Sequence, residues 1–350
     1  MREAAVIAYV QGPQRRSAGA VNESELVMPV VRDVMAQAGL KQKDIDFTCS
    51  GSCDYLQGAA FAFVEGLSAI ATVPPIKESH VEMDAAWALY EALLKIWSGE
   101  ADVCLVYGFG KSSPGELRTV MTLQLDPYYH VPLWPDSISL AALQARLLLD
   151  SGSISERDMA QVVVRSRAHA RDNPRAQLSG SFSVEQLLAE PSFVAPLRRH
   201  DCAPITDGAS AMIIASREAA ERHCQRPAWI RGIDHRMETG VFGARDLCRS
   251  PSTRMAGENA GVGRSKVDIA ELHAPFSHQE IILRRELGLD ASVPVNLSGG
   301  ALAANTMMAA GLDRIGYVAE RIISGKASRG VAHASSGPCL QQNLVAVLEA

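Results

Sequence analysis

The segment D-C-A-P-I-T-D-G-A-S-A at residues 201–211 lies near the boundary between two parts of this 350-residue chain, and the two parts repeat one succession of elements. In the first part, the apolar run Ala4–Val10 predicts a buried strand. The helical spacing of Ser24–Ala38 predicts a helix, and Asp44–Cys49 predicts a second strand. The Ala-rich segment Glu82–Trp97, which ends before Ser98-Gly99, predicts a further helix.

The second part of the chain repeats phrases of the first. Ile322–Ala327 (I-I-S-G-K-A) matches Ile96–Ala101 (I-W-S-G-E-A), and each precedes a predicted strand. Ala260–Val262 (A-G-V) likewise matches Ala38–Leu40 (A-G-L). Strands that alternate with helices predict an α/β sheet covered by helices, and the repetition predicts a duplicated unit. The alternative is that any α/β protein contains such phrases.

The composition narrows the class of protein. With 47% apolar and 21% charged residues, the chain is long enough for a large core and for two domains. A net charge of −5 argues against a general nucleic-acid binder. The seven cysteines form no C-x-x-C pair, so no metal site is predicted. The chain starts without a signal-peptide pattern, and no apolar run reaches the roughly 20 residues of a membrane span, so we expect a cytoplasmic protein without membrane contact.

Ser112–Arg198 interrupts the repeated succession. It contains P-Y-Y-H-V-P-L-W-P at residues 127–135, followed by two runs with helical spacing. Such an insertion often covers a site and shapes its pocket. We predict that Tyr128, Tyr129 and Trp134 line an apolar pocket for a lipid or steroid tail, with packing inside the loop as the alternative.

Three motifs carry a family resemblance. Residues 201–211 resemble the C-x-P-x-x-D-G-A-x-A segment of thiolases, and N-L-S-G-G-A-L-A at residues 296–303 resembles their N-x-S-G-G turn. The phrase E-S-H-V-E-M-D-A-A-W-A-L-Y-E at residues 78–91 is typical of a subgroup of the sterol-carrier and lipid-transfer-protein thiolases, the aldolases that cleave steroid side chains from acyl-CoA thioesters. By this resemblance, the chain is identified as a member of the thiolase superfamily.

The resemblance implies a duplicated five-layer αβαβα fold with an inserted loop domain. Residues 1–226 would form the N-terminal half, with the loop domain at about 112–198, and residues 227–350 would form the C-terminal half. It also implies a homodimer built through N-terminal strands and a small OB-fold partner protein that carries a zinc ribbon. CoA would enter as part of an acyl-CoA substrate, and no other cofactor is expected.

The resemblance ends at the position of the family's nucleophile. Working thiolases place a cysteine at the N-terminus of a buried helix, where the helix dipole lowers the pKa of the thiol. Here that position falls at about Met83, within one or two residues, and no cysteine lies between Cys53 and Cys104. Thiolysis through an acyl-enzyme is therefore not expected. Met83 and Asp84 are predicted to contact the substrate, and Asp84 is either a dipole-stabilising carboxylate or a base.

His273 is the first candidate for catalysis. It directly follows the predicted strand Asp268–Leu272. It lies in E-L-H-A-P-F at residues 271–276, at the position of the family's N-E-A-F or H-D-A-F motif, where the side chain faces the thioester. A polar residue that directly follows a strand of an α/β sheet lies where ligands bind. By resemblance, His273 would donate to an oxyanion or act as acid and base, and a structural histidine is the alternative. His278, five residues further on, is predicted to be structural.

The histidine of the family's G-H-P motif is replaced in this chain. Counting from Gly299 and Gly300 puts Thr306 in its place, whereas counting from Gly311 puts Asn305 there. Neither side chain accepts a proton near neutral pH, so either one would donate to an enolate or hold a water. A helix cap is the alternative role. The Gly299-Gly300 turn itself is predicted to contact the substrate.

His333 is the second candidate for proton transfer. In V-A-H-A-S-S-G-P-C at residues 331–339 it follows a predicted strand, in the loop that carries the acid/base cysteine of thiolases. The equivalent place falls near His333–Ser335, where a histidine can move protons. Cys339 lies beyond it and is predicted to contact the substrate.

With His273, His333 and Asn305 as catalytic residues, the sequence predicts retro-aldol cleavage of a β-hydroxyacyl-CoA thioester, and the resemblance implies a steroid side-chain ester. This reaction needs a polarised thioester and a donor to the enolate but no acyl-enzyme, so it does not depend on the missing cysteine. A non-catalytic thiolase-like subunit that binds acyl-CoA or lipid explains the missing residues equally well. A condensing or decarboxylating acyltransferase that uses Cys53 or Cys339 is a second alternative.

Overall fold

The computed structural model describes residues 2–70 and 77–350, which form a mixed α/β fold. The strands are β1 (Ala4–Gln11), β2 (Phe47–Gly51), β3 (Lys77–Val81), β4 (Val103–Gly110), β5 (Ser192–Val194), β6 (Leu197–Arg198), β7 (Gly208–Ser216), β8 (Ala228–Met237), β9 (Ile269–Leu272), β10 (Arg329–Ser336) and β11 (Gln342–Glu349). The helices are α1 (Glu23–Ala38), α2 (Asp54–Gln57), α3 (Phe63–Ile70), α4 (Ala85–Ser98), α5 (Leu117–Leu123), α6 (Ser137–Asp150), α7 (Glu156–His169), α8 (Val184–Leu188), α9 (Arg217–His223), α10 (Pro251–Ala260), α11 (Ser277–Glu286), α12 (Gly300–Ala303) and α13 (Ala310–Ile323).

The main sheet contains one topology twice. Its nine strands run in the order β3-β2-β4-β7-β1-β8-β11-β10-β9. In the first repeat, β2 is parallel to β3 and β4, while β7 is antiparallel to β4 and β1. In the second repeat, β9 is parallel to β10, β11 is antiparallel to β10 and β8, and Ala270 of β9 forms a parallel bridge to Val295. Strand order and direction therefore recur, as the repeated phrases of the sequence predict.

Two central helices lie between the repeats. Leu89 of α4 and Leu312 and Ile315 of α13 are fully buried in one core with strand residues of both repeats. Helix α1 packs on the other face of the first repeat, and α10 and α11 pack on the other face of the second. These are the five αβαβα layers that the family resemblance implies.

Helix α4 begins three residues later than the sequence predicts. The Ala-rich segment predicts a helix over Glu82–Trp97, whereas the helix of the structure is Ala85–Ser98. The backbone of Asp84 is extended and its carboxylate accepts the N–H of Ala86 at 2.8 Å, which fixes the N-cap at this residue. The helix ends at Gly99, whose φ of 82° is a left-handed conformation that glycine adopts readily.

The inserted region lies between β4 and β7 and contains α5 to α8. Asp207, in the D-G-A motif, joins its start to the first repeat, because the carboxylate accepts the backbone N–H of Ala18 at 2.9 Å and that of Ser113 at 3.0 Å. The division predicted between residues 226 and 227 falls in the connection from α9 to β8 and stays a prediction as a domain boundary. Across residues 2–70 and 77–350, no helix is long and apolar enough to cross a membrane.

Candidate active site

His273 lies where β9 ends. The strand stops at Leu272, and the imidazole lies beside the last residues of β10. Its Nε2 is 2.9 Å from Oδ1 of Asn305, and its Nδ1 is 3.2 Å from the backbone nitrogen of Ser335. His273 is only 7% exposed. Two predicted site residues, His273 and Asn305, are thus brought together, and Ser335 joins them.

The imidazole of His273 is a neutral hydrogen-bond donor. Burial, with a smaller contribution from the Arg314 guanidinium, lowers the pKa of His273 from its ordinary 6.5 to about 4. The Asn305 amide oxygen accepts and the Ser335 N–H donates, so these two contacts match a ring proton on Nε2, whereas the Ser335 carbonyl oxygen, also 3.2 Å from Nδ1, matches a proton on Nδ1. At neutral pH this side chain can polarise a carbonyl group, but it is a weak base.

A hydrogen bond from the backbone N–H of Asn305 holds this residue in place. Its N–H donates to Oγ1 of Thr206 at 3.0 Å, and the Thr206 hydroxyl donates to Oε1 of Gln177 at 2.7 Å. Thr306 is fully buried and lies beside Gly208, where a Cβ would be 3.0 Å from Thr306 Oγ1. Of the two residues left open by counting, Asn305 is therefore the one that meets His273.

A buried ion pair and its hydrogen bonds hold β9, the strand that ends directly before His273. Glu271 accepts the Ser298 hydroxyl at 2.6 Å and Nη1 of Arg314 at 3.2 Å, and all three side chains are buried. Burial raises the pKa of Glu271, while the Arg314 charge and the Ser298 bonds oppose that rise. This network ties β9, the N-x-S-G-G turn and α13 together beside the site.

The Gly299-Gly300 turn allows two backbones to approach closely. Both glycines are left-handed, with φ of 94° and 65°. A Cβ at Gly299 would lie 2.7 Å from Cβ of Ala170 in the inserted region, so a side chain there would push the turn away from that region. Contact of either glycine with a substrate stays a prediction.

Asp84 directly follows Met83, the residue at about which the family's nucleophile is expected. Its Oδ1 accepts N–H groups from Ala86 at 2.8 Å and Leu312 at 3.1 Å, and its Oδ2 accepts that of Gly311 at 2.8 Å. Burial raises the pKa of Asp84 to about 6, although these three bonds oppose the rise. One carboxylate thus caps both central helices. Met83 is half-buried against the central core, and substrate contact by either residue stays a prediction.

His333 points away from His273. Its Nε2 is 2.9 Å from Oδ1 of Asn343, whose amide donates to the hydroxyl of Ser252 at 2.7 Å, near the start of α10. Burial lowers the pKa of His333 to about 3. The neighbouring Ala334 packs in the central core, on the opposite face of β10. The imidazole of His333 is therefore part of a buried polar cluster at α10, apart from the His273–Asn305 pair.

No cysteine of the chain has the surroundings of an activated thiolate. All seven lie in the part of the chain that the structure describes, and burial raises the pKa of every thiol, to about 12 at Cys49, Cys202 and Cys339. Cys339 is buried under the inserted region, with its Sγ 3.5 Å from the carbonyl oxygen of Leu140. Cys53 is also buried. Substrate contact by Cys339 stays a prediction.

The aromatic loop lies at the surface of the chain. Tyr128, Tyr129 and Trp134 are 81%, 77% and 55% exposed. Within the described residues, no hydrogen bond or ring contact joins these side chains to His273 or Asn305. Their contact with a lipid or steroid tail stays a prediction.

Two residues of the site are not singled out by the sequence. Ser335 lies inside the window His333–Ser335 that the family loop indicates, and Thr206 directly precedes Asp207 in the D-G-A motif. Their places in the predicted window and next to the D-G-A motif are the sequence signals by which these two residues could be found. Across residues 2–70 and 77–350, no group of three or more His, Cys, Asp or Glu side chains is arranged to hold a metal ion.

Curated proteins related to the chain are thiolase-like enzymes and carriers, and no protein-family model matches it. It is 26% identical over 296 residues to an acetyl-CoA acetyltransferase of Methanothermobacter thermautotrophicus, covering 76% of each protein. It is 27% identical over 319 residues to the 17-hydroxy-3-oxo-4-pregnene-20-carboxyl-CoA lyase of Mycobacterium tuberculosis, covering 80% of this chain and 82% of that protein. It is 22% identical over 297 residues to sterol carrier protein 2 of Gallus gallus, covering 78% of this chain and 54% of that protein.

Solved structures share the fold. An Ltp2-ChsH2(DUF35) aldolase matches with a TM-score of 0.82 and 20% identity, over 99% of this chain and 98% of that one. Human mitochondrial 3-ketoacyl-CoA thiolase matches with a TM-score of 0.79 and 17% identity, over 100% of this chain and 99% of that one. The predicted thiolase fold is confirmed by these matches, and the predicted resemblance is confirmed by the relatives in sequence.

Proposed function

We propose that this chain, which has the fold of thiolases and thiolase-like relatives, is a carbon–carbon lyase. The reaction is retro-aldol cleavage of a β-hydroxyacyl-CoA thioester, and the substrate class is a steroid side-chain CoA ester. The products are a shortened acyl-CoA and an aldehyde or ketone. The relative named as a steroid-CoA lyase and the aldolase of the same fold support lyase chemistry, and an acetyl-CoA acetyltransferase is also among the relatives.

One observation carries the proposal. The site keeps a neutral donor, the Nε2–H of His273 beside Asn305, while the predicted position of the acyl-accepting cysteine, at about Met83, has no thiol and is followed by the helix-capping carboxylate of Asp84. A donor of this kind stabilises charge that develops on a thioester oxygen. Neither a carboxylate occupied by three N–H groups nor a thiol with a raised pKa favours an acyl-enzyme.

The chemistry balances without a second substrate. The β-hydroxyl group passes its proton to solvent water, the Cα–Cβ bond breaks to leave a carbonyl at Cβ, and the electron pair moves into the thioester as an enolate, which later takes a proton back from solvent. The enolate then takes one proton at Cα, so neither water nor free CoA is consumed. In this proposal the enolate oxygen replaces Oδ1 of Asn305, 2.9 Å from Nε2, as the acceptor of the His273 Nε2–H, and the Asn305 amide supplies further N–H donors.

His333 is left out of this mechanism because its imidazole is committed to Asn343 in a fully buried cluster. The name of the aldolase of the same fold, Ltp2-ChsH2(DUF35), joins two protein names. We therefore include a homodimer and a small OB-fold, zinc-ribbon partner in the proposal, and activity is to be measured with and without such a partner.

Product analysis tests the proposal. The chain is incubated with a steroid β-hydroxyacyl-CoA, with and without the partner and with and without free CoA, and the products are measured by mass spectrometry. A shortened acyl-CoA and a carbonyl fragment that form without free CoA are the expected result. Bound but unchanged substrate in every sample would instead assign the chain as a non-catalytic acyl-CoA-binding subunit. Products that require free CoA would favour a cysteine-dependent acyltransferase.

A further inference from the structure

Ser335 surrounds one nitrogen of the His273 imidazole with three of its atoms. Nδ1 of His273 lies 3.2 Å from the backbone nitrogen of Ser335, 3.2 Å from its carbonyl oxygen and 3.3 Å from its Oγ. The N–H only donates, the carbonyl only accepts, and the hydroxyl does either. The two tautomers of the ring therefore satisfy different atoms of the same residue.

The end of β9 makes this contact possible. The N–H of His273 donates to the carbonyl of His333 at 3.2 Å, as one strand donates to its parallel neighbour. Because β9 stops at Leu272, the N–H and carbonyl of Ser335 on β10 are left for the imidazole. Both His273 and Ser335 are buried, so an unsatisfied group there is costly.

The Ser335 N–H favours one tautomer, and the Ser335 hydroxyl has two acceptors within reach. With Nδ1 unprotonated, the N–H of Ser335 donates to it at 3.2 Å, and Nε2–H donates to Oδ1 of Asn305 at 2.9 Å. The hydroxyl of Ser335 then donates either to Nδ1 at 3.3 Å or to the carbonyl of His273 at 3.1 Å. With Nδ1 protonated, the ring donates to the carbonyl or the hydroxyl of Ser335 and leaves the N–H of Ser335 without an acceptor. The N–H of Ser335 therefore selects the Nε2–H tautomer, and the hydroxyl is a second donor that Nδ1 accepts only when it is unprotonated.

We propose that Ser335 is a positioning residue that holds the His273 proton on Nε2. This inference rests on the proposed function, in which Nε2–H donates to the enolate oxygen. Ser335 touches neither the reacting carbons nor the thioester in this role. It acts through His273, by keeping the donating nitrogen toward Asn305.

Three variants separate this role from a structural one. Ser335→Ala removes the hydroxyl and keeps the backbone, and Ser335→Thr restores a hydroxyl in a residue that strands favour. Ser336→Ala is the matched control, because Ser336 is the next residue of β10 and is half-buried. Nitrogen-15 NMR of labelled histidine reports which ring nitrogen is protonated, with the His273 signals assigned from a His273→Asn variant.

The expected result has two parts. In the wild-type chain and in Ser335→Thr and Ser336→Ala, His273 carries its proton on Nε2; in Ser335→Ala, the Nδ1–H tautomer appears. In parallel, kcat of Ser335→Ala falls about tenfold to a hundredfold with little change in KM, and threonine restores it. A wild-type ring protonated on Nδ1, or an Ser335→Ala variant with wild-type tautomer and wild-type kcat, overturns the inference. The NMR arm needs no turnover, so it separates failure of this inference from failure of the proposed function.

Discussion

The central helices α4 and α13 occupy matching places in the two repeats, yet they begin differently. Helix α4 has its own cap, the carboxylate of Asp84, whereas the residue before α13 is Ala309, whose side chain cannot cap a helix. Asp84 supplies the missing acceptor and takes the N–H groups of Gly311 and Leu312 as well as that of Ala86. One side chain of the first repeat therefore completes both helices.

The two repeats have different roles, one in stability and the other in the proposed reaction. In the first repeat, the start of the central helix is closed by a carboxylate whose contacts are backbone N–H groups. In the second repeat, the ends of β9 and β10 and the turn before α13 carry the contacting polar groups of His273, Ser335 and Asn305. The start of α4 thus has a stabilising role, and the donors of the proposed reaction lie in the second repeat.

The largest effect is expected from His273→Ala. Loss of the Nε2–H donor should lower turnover by about 10²- to 10³-fold, the usual cost of removing one oxyanion donor, while the far-ultraviolet circular dichroism stays unchanged. His235→Ala is the matched control, since this exposed histidine of β8 packs on Tyr90 at 4.8 Å between ring centres, away from the site. Turnover of His273→Ala at the wild-type rate would show that the second repeat does not supply the donor of the proposed reaction.

Asp84→Ala should act on stability. The change leaves three buried N–H groups of two helices without an acceptor, so the free energy of unfolding should fall by about 3 kcal/mol. Asn22→Ala removes the cap of α1 alone, where Asn22 accepts the N–H of Glu25 at 2.8 Å, and should cost about 1 kcal/mol. Urea unfolding measures both. Equal losses in the two variants would contradict the shared cap.

The second repeat also buries neutral imidazoles, which predicts a dependence of stability on pH. Burial lowers the pKa of His278 from its ordinary 6.5 to about 3. The unfolded chain binds a proton at this residue below pH 6.5 and the folded chain does not, so its contribution to stability is present above about 6.5 and is lost as the pH falls toward 3. Between pH 7 and pH 5 this loss amounts to about 2 kcal/mol.

His278→Gln isolates that effect. Glutamine does not titrate, and its amide can donate to Oε1 of Gln144, which lies 3.1 Å from Nε2 of His278. The variant should therefore lose about 2 kcal/mol less than the wild-type chain between pH 7 and pH 5 in urea unfolding. Asp84, whose pKa is raised, favours the folded state as the pH falls and is common to both proteins. The same pH dependence in both chains would count against a neutral buried His278.

The smallest effect is expected from thiol alkylation. Because burial raises the pKa of all seven cysteines, iodoacetamide at neutral pH should leave turnover unchanged. A thiolase with a nucleophilic cysteine, treated in the same way, is the positive control. Loss of turnover on modification of Cys53 or Cys339 would revive acyl transfer.

The frame of the molecule is predictable because its signals are local. Helical spacing predicts Ser24–Ala38, and the helix found is Glu23–Ala38. The strand predicted at Asp268–Leu272 is found at Ile269–Leu272, so His273 follows a strand as expected. The start of α4 is predicted at Glu82, three residues too early, because the helical pattern of the sequence extends N-terminally beyond Asp84, whose side chain caps the helix.

The site is less predictable because its contacts are distant in sequence. Asn305 and Thr306 are equivalent by counting, and the bond from Asn305 N–H to Thr206 distinguishes them only in three dimensions. His333 and Ser335 lie on one strand within one predicted window. Their roles differ because β9 ends at Leu272, so the N–H and carbonyl of Ser335 have no strand partner on that side and face the His273 imidazole instead. No local pattern of the sequence indicates this.

A single-turnover experiment tests the central claim most directly. Excess enzyme is mixed with a steroid β-hydroxyacyl-CoA in D₂O without free CoA, and small molecules and intact protein are weighed in the same quenched samples. The account predicts a shortened acyl-CoA with one deuterium at Cα, an equal amount of carbonyl fragment and a protein of unchanged mass. A protein that gains the mass of an acyl group, or a product that appears only when free CoA is added, would contradict it.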